Sequence, residues 1–340
     1  MNDVKVGLFL TNQHPEGADM ARALDEQIAM LNAARTGGWD SVWTGQHYLS
    51  TMSQLQPLPF LARLAAEAGE MTIGLGIQLL ALQNPLGVAE DMAAMDVITD
   101  GKFIYGAGLG YRDIEYAAFG INDGSHVERF EANLAIVKRL WTGESVSVDL
   151  PWCRLDRARL TTLPVQRPRP PIWLAANSDR SVARAARAAD AWLINPHATF
   201  DTISRQLSLF HENRQMTGLP PAKTVPAIKE VFCAATRQEA VRLAMPYLAE
   251  KYRTYADWGQ DLVLPGRESF RMPFEELERQ RFILGSPQDC LDRLLPWRDD
   301  LGVDHFVMRT HWAGMPVEAS LRSIDILSRE VLPELKGGRR

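Results

Sequence analysis

Eight short apolar runs, each followed by a longer stretch of helical period, alternate along this chain of 340 residues. Nothing else in the sequence narrows the fold as far. Strands separated by helices pair in parallel and are joined by right-handed crossovers. The runs lie at 4–10, 41–45, 72–82, 102–110, 170–176, 191–195, 227–235 and 304–310. The stretches between them carry their own punctuation. Asp19 stands as an N-cap before a stripe of Met20, Leu24, Ile28 and Leu31, and Gly37 stops it. Asn84 and Pro85 open another helix, with Val88, Met92 and Met95 facing inward and Gly101 closing it. Phe130, Leu134, Val137 and Trp141 form a further stripe over 128–144. Helices are also predicted over 59–70, after Asp179, and over 201–217, 237–254 and 316–331. The count of eight favours a closed (β/α)8 TIM barrel, with an open doubly wound sheet as the alternative.

Two segments interrupt the repeat. Residues 143–171 read as a β-hairpin excursion around "LPWC", and residues 246–285 are rich in Tyr, Trp, Gly and Pro. A connection that long serves as a lid or binding loop. In it Tyr252, Tyr255 and Trp258 stand at three-residue spacing, which suits a lid and equally suits helix packing. The expectation is one barrel domain over 1–340 carrying these two insertions.

The 37 basic and 42 acidic residues leave a net charge of −5, which gives no electrostatic reason to bind nucleic acid or an anionic membrane. Cys153, Cys233 and Cys290 are far apart and in no Cys-x-x-Cys pattern, so neither a disulfide framework nor a zinc site is expected. The first residues run straight into a strand without the apolar core of a signal peptide, and no window approaches ~20 apolar residues. A cytoplasmic location is expected.

In a parallel barrel the chemistry sits at the carboxyl ends of the strands. Four of the seven histidines (His14, His47, His197 and His311) fall there. A metal site is not expected, because no His-x-His opens the chain and no carboxylate ligand stands near the last strand. Asn177, Ser178 and Asp179 lie between a strand and a helix. Small residues, hydroxyls and a helix N-terminus suit a phosphate there, and the same residues suit an ordinary N-cap. The Gly-x-Gly-x-Gly at 106–110 marks a tight strand exit. Trp152, Trp258 and Trp312, with the apolar third run, suggest a small, largely apolar organic substrate.

Several ordered segments resemble one family: "GWDSVWTGQHY", "IGLGIQLLALQNPLGVAEDMAAMDVITDGKFIYGAGLGYRDIEYAAFGI", "RFEANLAIVKRLWTGE", "RPRPPIWLAANSDRSVARAARAADAW" and "GVDHFVMRTHWAGMP". They are similar to the bacterial luciferase-like, flavin-dependent monooxygenases, over nearly the whole chain. The resemblance implies a barrel that binds FMN, as FMNH2, at its carboxyl rim. It implies a separate flavin reductase as partner, O2 as co-substrate, a peroxyflavin that oxygenates a small molecule, and a homodimer. Gly76 and Ile77 match a place where the family often carries a non-prolyl cis peptide beneath the flavin. Gly108, Gly110 and Tyr111 match the loop beside it. Arg129, Ser178 and Ser181 match phosphate-side contacts, with Asn177 adjoining them. His47 matches the catalytic histidine near the reacting edge, and an imidazole exchanges protons near neutral pH.

The chain departs from the family at two places. Gln46 stands where a glutamate is frequent, which removes a carboxylate, and Leu109 replaces an arginine of the luciferases. Two rivals remain on the same fold: a deazaflavin-dependent hydride-transfer oxidoreductase, and a non-catalytic flavin-binding protein.

Overall fold

The computed structural model describes residues 3–121 and 124–337; Met1 and Asn2, at the start of the chain, lie outside them. The chain opens with β1 (Lys5–Phe9), α1 (Met20–Thr36), β2 (Ser41–Thr44), α2 (Pro57–Ala68), β3 (Thr72–Leu75) and the short β4 (Gln78–Leu79). Then come α3 (Pro85–Ile98), β5 (Phe103–Gly108), α4 (Asp113–Ala118) and α5 (His126–Trp141). A hairpin of β6 (Val146–Leu150) and β7 (Cys153–Ala158) precedes β8 (Ile172–Ala175), α6 (Asp179–Ala188), β9 (Ala191–Leu193) and α7 (Phe200–Met216). The last third holds β10 (Pro226–Cys233), α8 (Arg237–Asp257), α9 (Phe274–Arg281), β11 (Phe282–Gly285), α10 (Pro287–Asp299), β12 (His305–Arg309), α11 (Val317–Ile326) and α12 (Leu332–Lys336).

All pairings in the main sheet are parallel, in the order β10-β12-β1-β2-β3-β5-β8-β9. The ring closes between its ends: Ile194 N–H donates to Pro226 O at 3.0 Å, and Ile228 N–H to Ile194 O at 2.8 Å. The chain therefore forms the (β/α)8 barrel that the alternation predicts. The expected caps are in place, with Asp19 accepting from Ala21 and Arg22, and Asn84 from Leu86.

Alternate strand residues point into the bore. There Phe9, Trp43, Ile104, Trp173, Leu193, Ile228 and Val307 pack as a core separate from the larger one under the helices. Trp43 stacks on Trp173 with centroids 5.0 Å apart, and the His305 ring meets both edge-on. Gly74 makes this possible: a Cβ there would lie 2.1 Å from Trp43 Cε3. Burial pulls the His305 pKa down to about 4. The neutral ring can then accept from Ser41 Oγ–H at 2.8 Å, while Ser41 Oγ accepts from Trp43 Nε1–H.

Three departures from the sequence reading have local causes. The run at 72–82 is not one strand. It breaks at Gly76–Ile77, whose peptide bond is cis, and ends in a 3-10 turn over Leu80–Leu82. That turn is apolar because it is buried under α5, where Asn133 donates to Leu80 O at 3.2 Å. Secondly, 246–285 is a loop only over 258–273: α8 continues to Asp257 and carries Tyr252 and Tyr255 inward, and α9 and β11 follow the turns. Thirdly, β11 and α10 were not expected. β11 pairs with the second half of β10, from Glu230↔Phe282 to Cys233↔Gly285. Ser286 and Asp289 form a complete capping box, with Pro287 at the first helical position, that starts α10.

Candidate active site

A cavity of about 550 Å³ opens at the carboxyl ends of the barrel strands, within the ~300–1,000 Å³ usual for small-molecule sites. Its floor is where the bore stops being filled. The topmost inward positions become small, at Gly76, Gly108 and Ala175, beside Phe9, Ile77, Leu193 and Ile228. The result is a flat apolar slot.

One edge of the slot is polar and cationic, formed by Asn177, Ser178, Arg180, Ser181 and Arg184. The Ser178 hydroxyl caps α6 by accepting from Ser181 N–H at 3.3 Å. Ser181 Oγ donates to Ser178 O at 2.7 Å and accepts from Asn177 N–H at 3.1 Å. The N-cap reading of these serines therefore holds, and the capped helix end faces the cavity.

The opposite wall is aromatic around His47, whose ring lies 6.2 Å from Tyr111, 6.1 Å from Tyr255 and 5.2 Å from Trp258. Behind it stands a carboxylate the sequence did not advertise. Glu115, on the short α4, puts Oε1 3.4 Å from His47 Nδ1, an ion-pair separation. The same oxygen accepts from Tyr48 N–H at 2.8 Å and from Arg112 Nη1–H at 3.1 Å. Burial pushes the Glu115 carboxyl up, but the His47 imidazole, the Tyr48 N–H and Arg112 together outweigh this and hold it below the usual carboxylate range. Arg112 also donates to Tyr48 O and Leu49 O, and its guanidinium lies 4.3 Å from the Trp258 ring, so it clamps the loop that carries His47.

Gln46 explains itself here. Its Oε1 accepts from Leu79 N–H at 3.0 Å, just past the cis bond, while its Nε2 donates to Tyr48 Oη at 2.9 Å and Gln56 Oε1 at 3.3 Å. A glutamate would accept the first bond and could donate neither of the others.

A third wall is built from Gln13, His197, Tyr255 and Arg309. Burial pulls the His197 pKa well below its ordinary value, so the ring is neutral. Burial likewise pushes the Tyr111 hydroxyl well up.

The structure brings His47, Gly76, Ile77, Gly108, Gly110, Tyr111, Asn177, Ser178 and Ser181 to this one cavity. It does not bring Arg129, which donates to Ala81 O at 3.2 Å and stacks on Trp152. Arg180 and Arg184 are the cations at the serine edge instead. The tryptophans expected around the substrate are also spoken for. Trp152 donates to Asn133, Trp312 is buried and donates to Glu230, and Trp258 covers His47 from behind. His14 and His311 face a separate cleft. Among the described residues no cluster of His, Cys, Asp or Glu is arranged to hold a metal ion. Sequence reasoning missed Glu115 and Arg309. The latter had a signal: His305, Val307 and Arg309 share one face of a strand, so an arginine at 309 points where the bore is otherwise apolar.

The family model described as luciferase-like monooxygenase matches residues 4–305. The oxygenase component of a flavin-dependent trigonelline monooxygenase from Acinetobacter baylyi is 24% identical over 326 residues, 91% of this chain and 89% of that protein. Monooxygenase RslO1 from Streptomyces bottropensis superposes with a TM-score of 0.85 at 22% identity, covering 97% of this chain and 99% of the other. The oxygenating constituent of 3,6-diketocamphane monooxygenase from Pseudomonas putida, solved with FMN, gives 0.81 at 18% identity, covering 98% and 99%.

Proposed function

The chain belongs to the luciferase-like monooxygenase family, a family of flavin-dependent oxidoreductases, and from that premise we propose that it is the oxygenase component of a two-component system. It takes reduced FMN from a separate flavin reductase and uses O2 to oxygenate a small organic molecule. The observation that carries this reading is that one cavity holds both a flat apolar slot with a cationic, hydroxyl-bearing edge and, across it, His47 backed by Glu115.

The residues present fit FMN. Gly76, Ile77, Gly108 and Ala175 leave room for a flat tricyclic ring, and Tyr111 Oη lies buried beside it without a hydrogen-bond partner. Ser178, Ser181, Arg180 and Arg184 would hold the phosphate. The bound flavin supplies the oxygen chemistry. The protein's own part is to keep water out and to move a proton. Tyr255, Gln260 and Val263 line the cavity from α8 and the turns after it, and these shelter the slot. His47 Nδ1 faces Glu115, which leaves Nε2 as the atom that exchanges a proton with the reacting group. The molecule acts as a homodimer in the cytoplasm, where its three buried free cysteines stay reduced. Among the described residues no helix is long and apolar enough to cross a membrane.

The test mixes the protein anaerobically with FMNH2, or with reduced deazaflavin, and then admits oxygen. We expect FMNH2 to bind and the protein to slow hydrogen peroxide release from it. Binding of the deazaflavin alone would replace oxygenation with hydride transfer. Tight flavin binding with no effect on oxygen consumption would make the chain a binding protein.

A further inference from the structure

The barrel holds charge in a place that packing does not require. Arg309 and Glu230 are the last register pair of β12 and β10, one layer above the apolar Val307 and Ile228. Glu230 is fully buried. Its Oε1 accepts from Arg309 Nη1–H at 2.8 Å and from the Lys251 ammonium on α8, and its Oε2 accepts from Trp312 Nε1–H at 2.7 Å. One carboxylate thus faces two cations, and either alone would neutralise it. Burial and Arg309 pull the Lys251 amine down to about 7, so near neutral pH part of the strain is relieved by its deprotonation, and an anion at Arg309 would let all three groups stay charged.

Arg309 is the member of this cluster that reaches the cavity wall. It is only 6% exposed, its guanidinium lies 4.2 Å from the Phe9 ring, and its Nε–H has no hydrogen-bond partner. Two more polar groups reach the same wall. Tyr255 Oη is held by Gln13 Oε1 at 3.3 Å, and His197, 5.7 Å from the Tyr255 ring, leaves its Nδ1 unpartnered. Arg309 Nε–H is a free donor in this recess, Tyr255 Oη can turn its hydrogen from Gln13 to a ligand, and His197 Nδ1 can donate in one tautomer; none belongs to the serine edge that suits a phosphate.

We propose that Arg309, with Tyr255 and His197, forms a second anion subsite in the cavity, and that it binds the carboxylate of the substrate. The substrate is then an organic acid with an apolar body, not an uncharged apolar molecule. This rests on the oxygenase reading above. Guanidinium and carboxylate match in shape as well as charge, which makes arginine the apt residue for this task. The same donors would also suit the anionic ring of reduced flavin, and the experiment separates the two sources.

Benzoate, phenylacetate and cyclohexanecarboxylate, each paired with its amide, are titrated calorimetrically into the protein with and without saturating oxidised FMN. At least one acid should bind ~10-fold or more tightly than its amide. Arg309→Met should abolish that preference. It leaves Glu230 paired one-to-one with Lys251, and circular dichroism checks that it folds. Tyr255→Phe keeps the whole charge cluster and should weaken the acid a few-fold, so the idea is testable even if the first variant does not fold. No acid preference in the wild type, or a preference that survives both variants, overturns the proposal. So does an Arg309→Met protein that loses affinity for reduced FMN alone, which would assign the donors to the flavin ring. Failure of FMN to bind at all would instead defeat the oxygenase reading, and the titrations without flavin would still report on the subsite.

Discussion

Glu115 Oε1 stands 3.4 Å from His47 Nδ1, so a carboxylate absent at position 46 is supplied to the site from α4. The exchange is not neutral for the architecture. Gln46 is freed to brace the segment after the cis peptide, and Glu115 is left to orient the imidazole.

The first prediction concerns that pair. His47→Ala should lower kcat by ~10²–10⁴, the usual worth of a positioned acid or base, with the Kd for reduced FMN changed little. Glu115→Gln should cost about tenfold in kcat, because the amide can still accept from Tyr48 N–H but removes the negative charge 3.4 Å from His47 Nδ1. Steady-state turnover with anaerobic FMNH2 titrations measures both. A Glu115→Gln enzyme with wild-type kcat would show that His47 works unassisted.

Restoring the glutamate common in the family should do harm. Gln46→Glu loses the bond donated to Gln56 Oε1, forces the Tyr48 hydroxyl to turn and donate instead of accept, and buries a carboxylate. A stability loss of about 1–3 kcal/mol is expected from the unpaired partners, read by urea denaturation at pH 7. A variant as stable as the wild type would mean that these bonds contribute nothing.

The serine edge can be probed with two ligands that differ only in the phosphate. The double variant Ser178→Ala, Ser181→Ala should weaken FMN about tenfold and leave riboflavin affinity unchanged. It should also lose about 1 kcal/mol of stability through the missing N-cap of α6. Equal weakening of both ligands would point to a collapsed slot, not to lost phosphate donors.

The parts of this molecule that were legible in the sequence are those governed by local chemistry. Asp19, Asn84 and the short apolar runs fix their elements by capping and by burial on both faces, and the ring of strands follows from their order. The cavity floor was legible only through the family likeness. What stayed hidden depends on distance in three dimensions. Glu115 lies in a stretch where no element is predicted, and only the fold places it on α4 and buries it against His47 and Tyr48. Arg129 reads as a free cation until its guanidinium is found on Trp152 and Ala81 O. The α9–β11 segment was absorbed into a presumed lid because Tyr, Trp and Gly dominate its neighbourhood, although Ser286 and Asp289 announced the helix that follows.

The buried histidines set how the fold answers acid. His305 and His311 both have pKa values pulled down to about 4 by burial, against 6.5 for an exposed ring. Between those values the unfolded chain binds protons that the folded one refuses, so stability is full above pH 6.5 and is lost as pH falls toward 4. Each shift corresponds to about 3 kcal/mol at the low end of that window. Glu230 behaves in the same sense lower down. Its carboxyl is held at about 2, against 4.5 unfolded, by Lys251, Arg309 and Trp312 despite the burial that opposes this, so its share is lost only below about pH 4.5. Urea denaturation at pH 7, 6 and 5.5 should therefore show a decline while carboxylates are still almost fully ionised. His305→Gln, whose amide can still accept from Ser41 Oγ–H, should be flatter across that interval than the wild type. If the variant and the wild type decline in parallel, the imidazole in the bore is not the group that titrates.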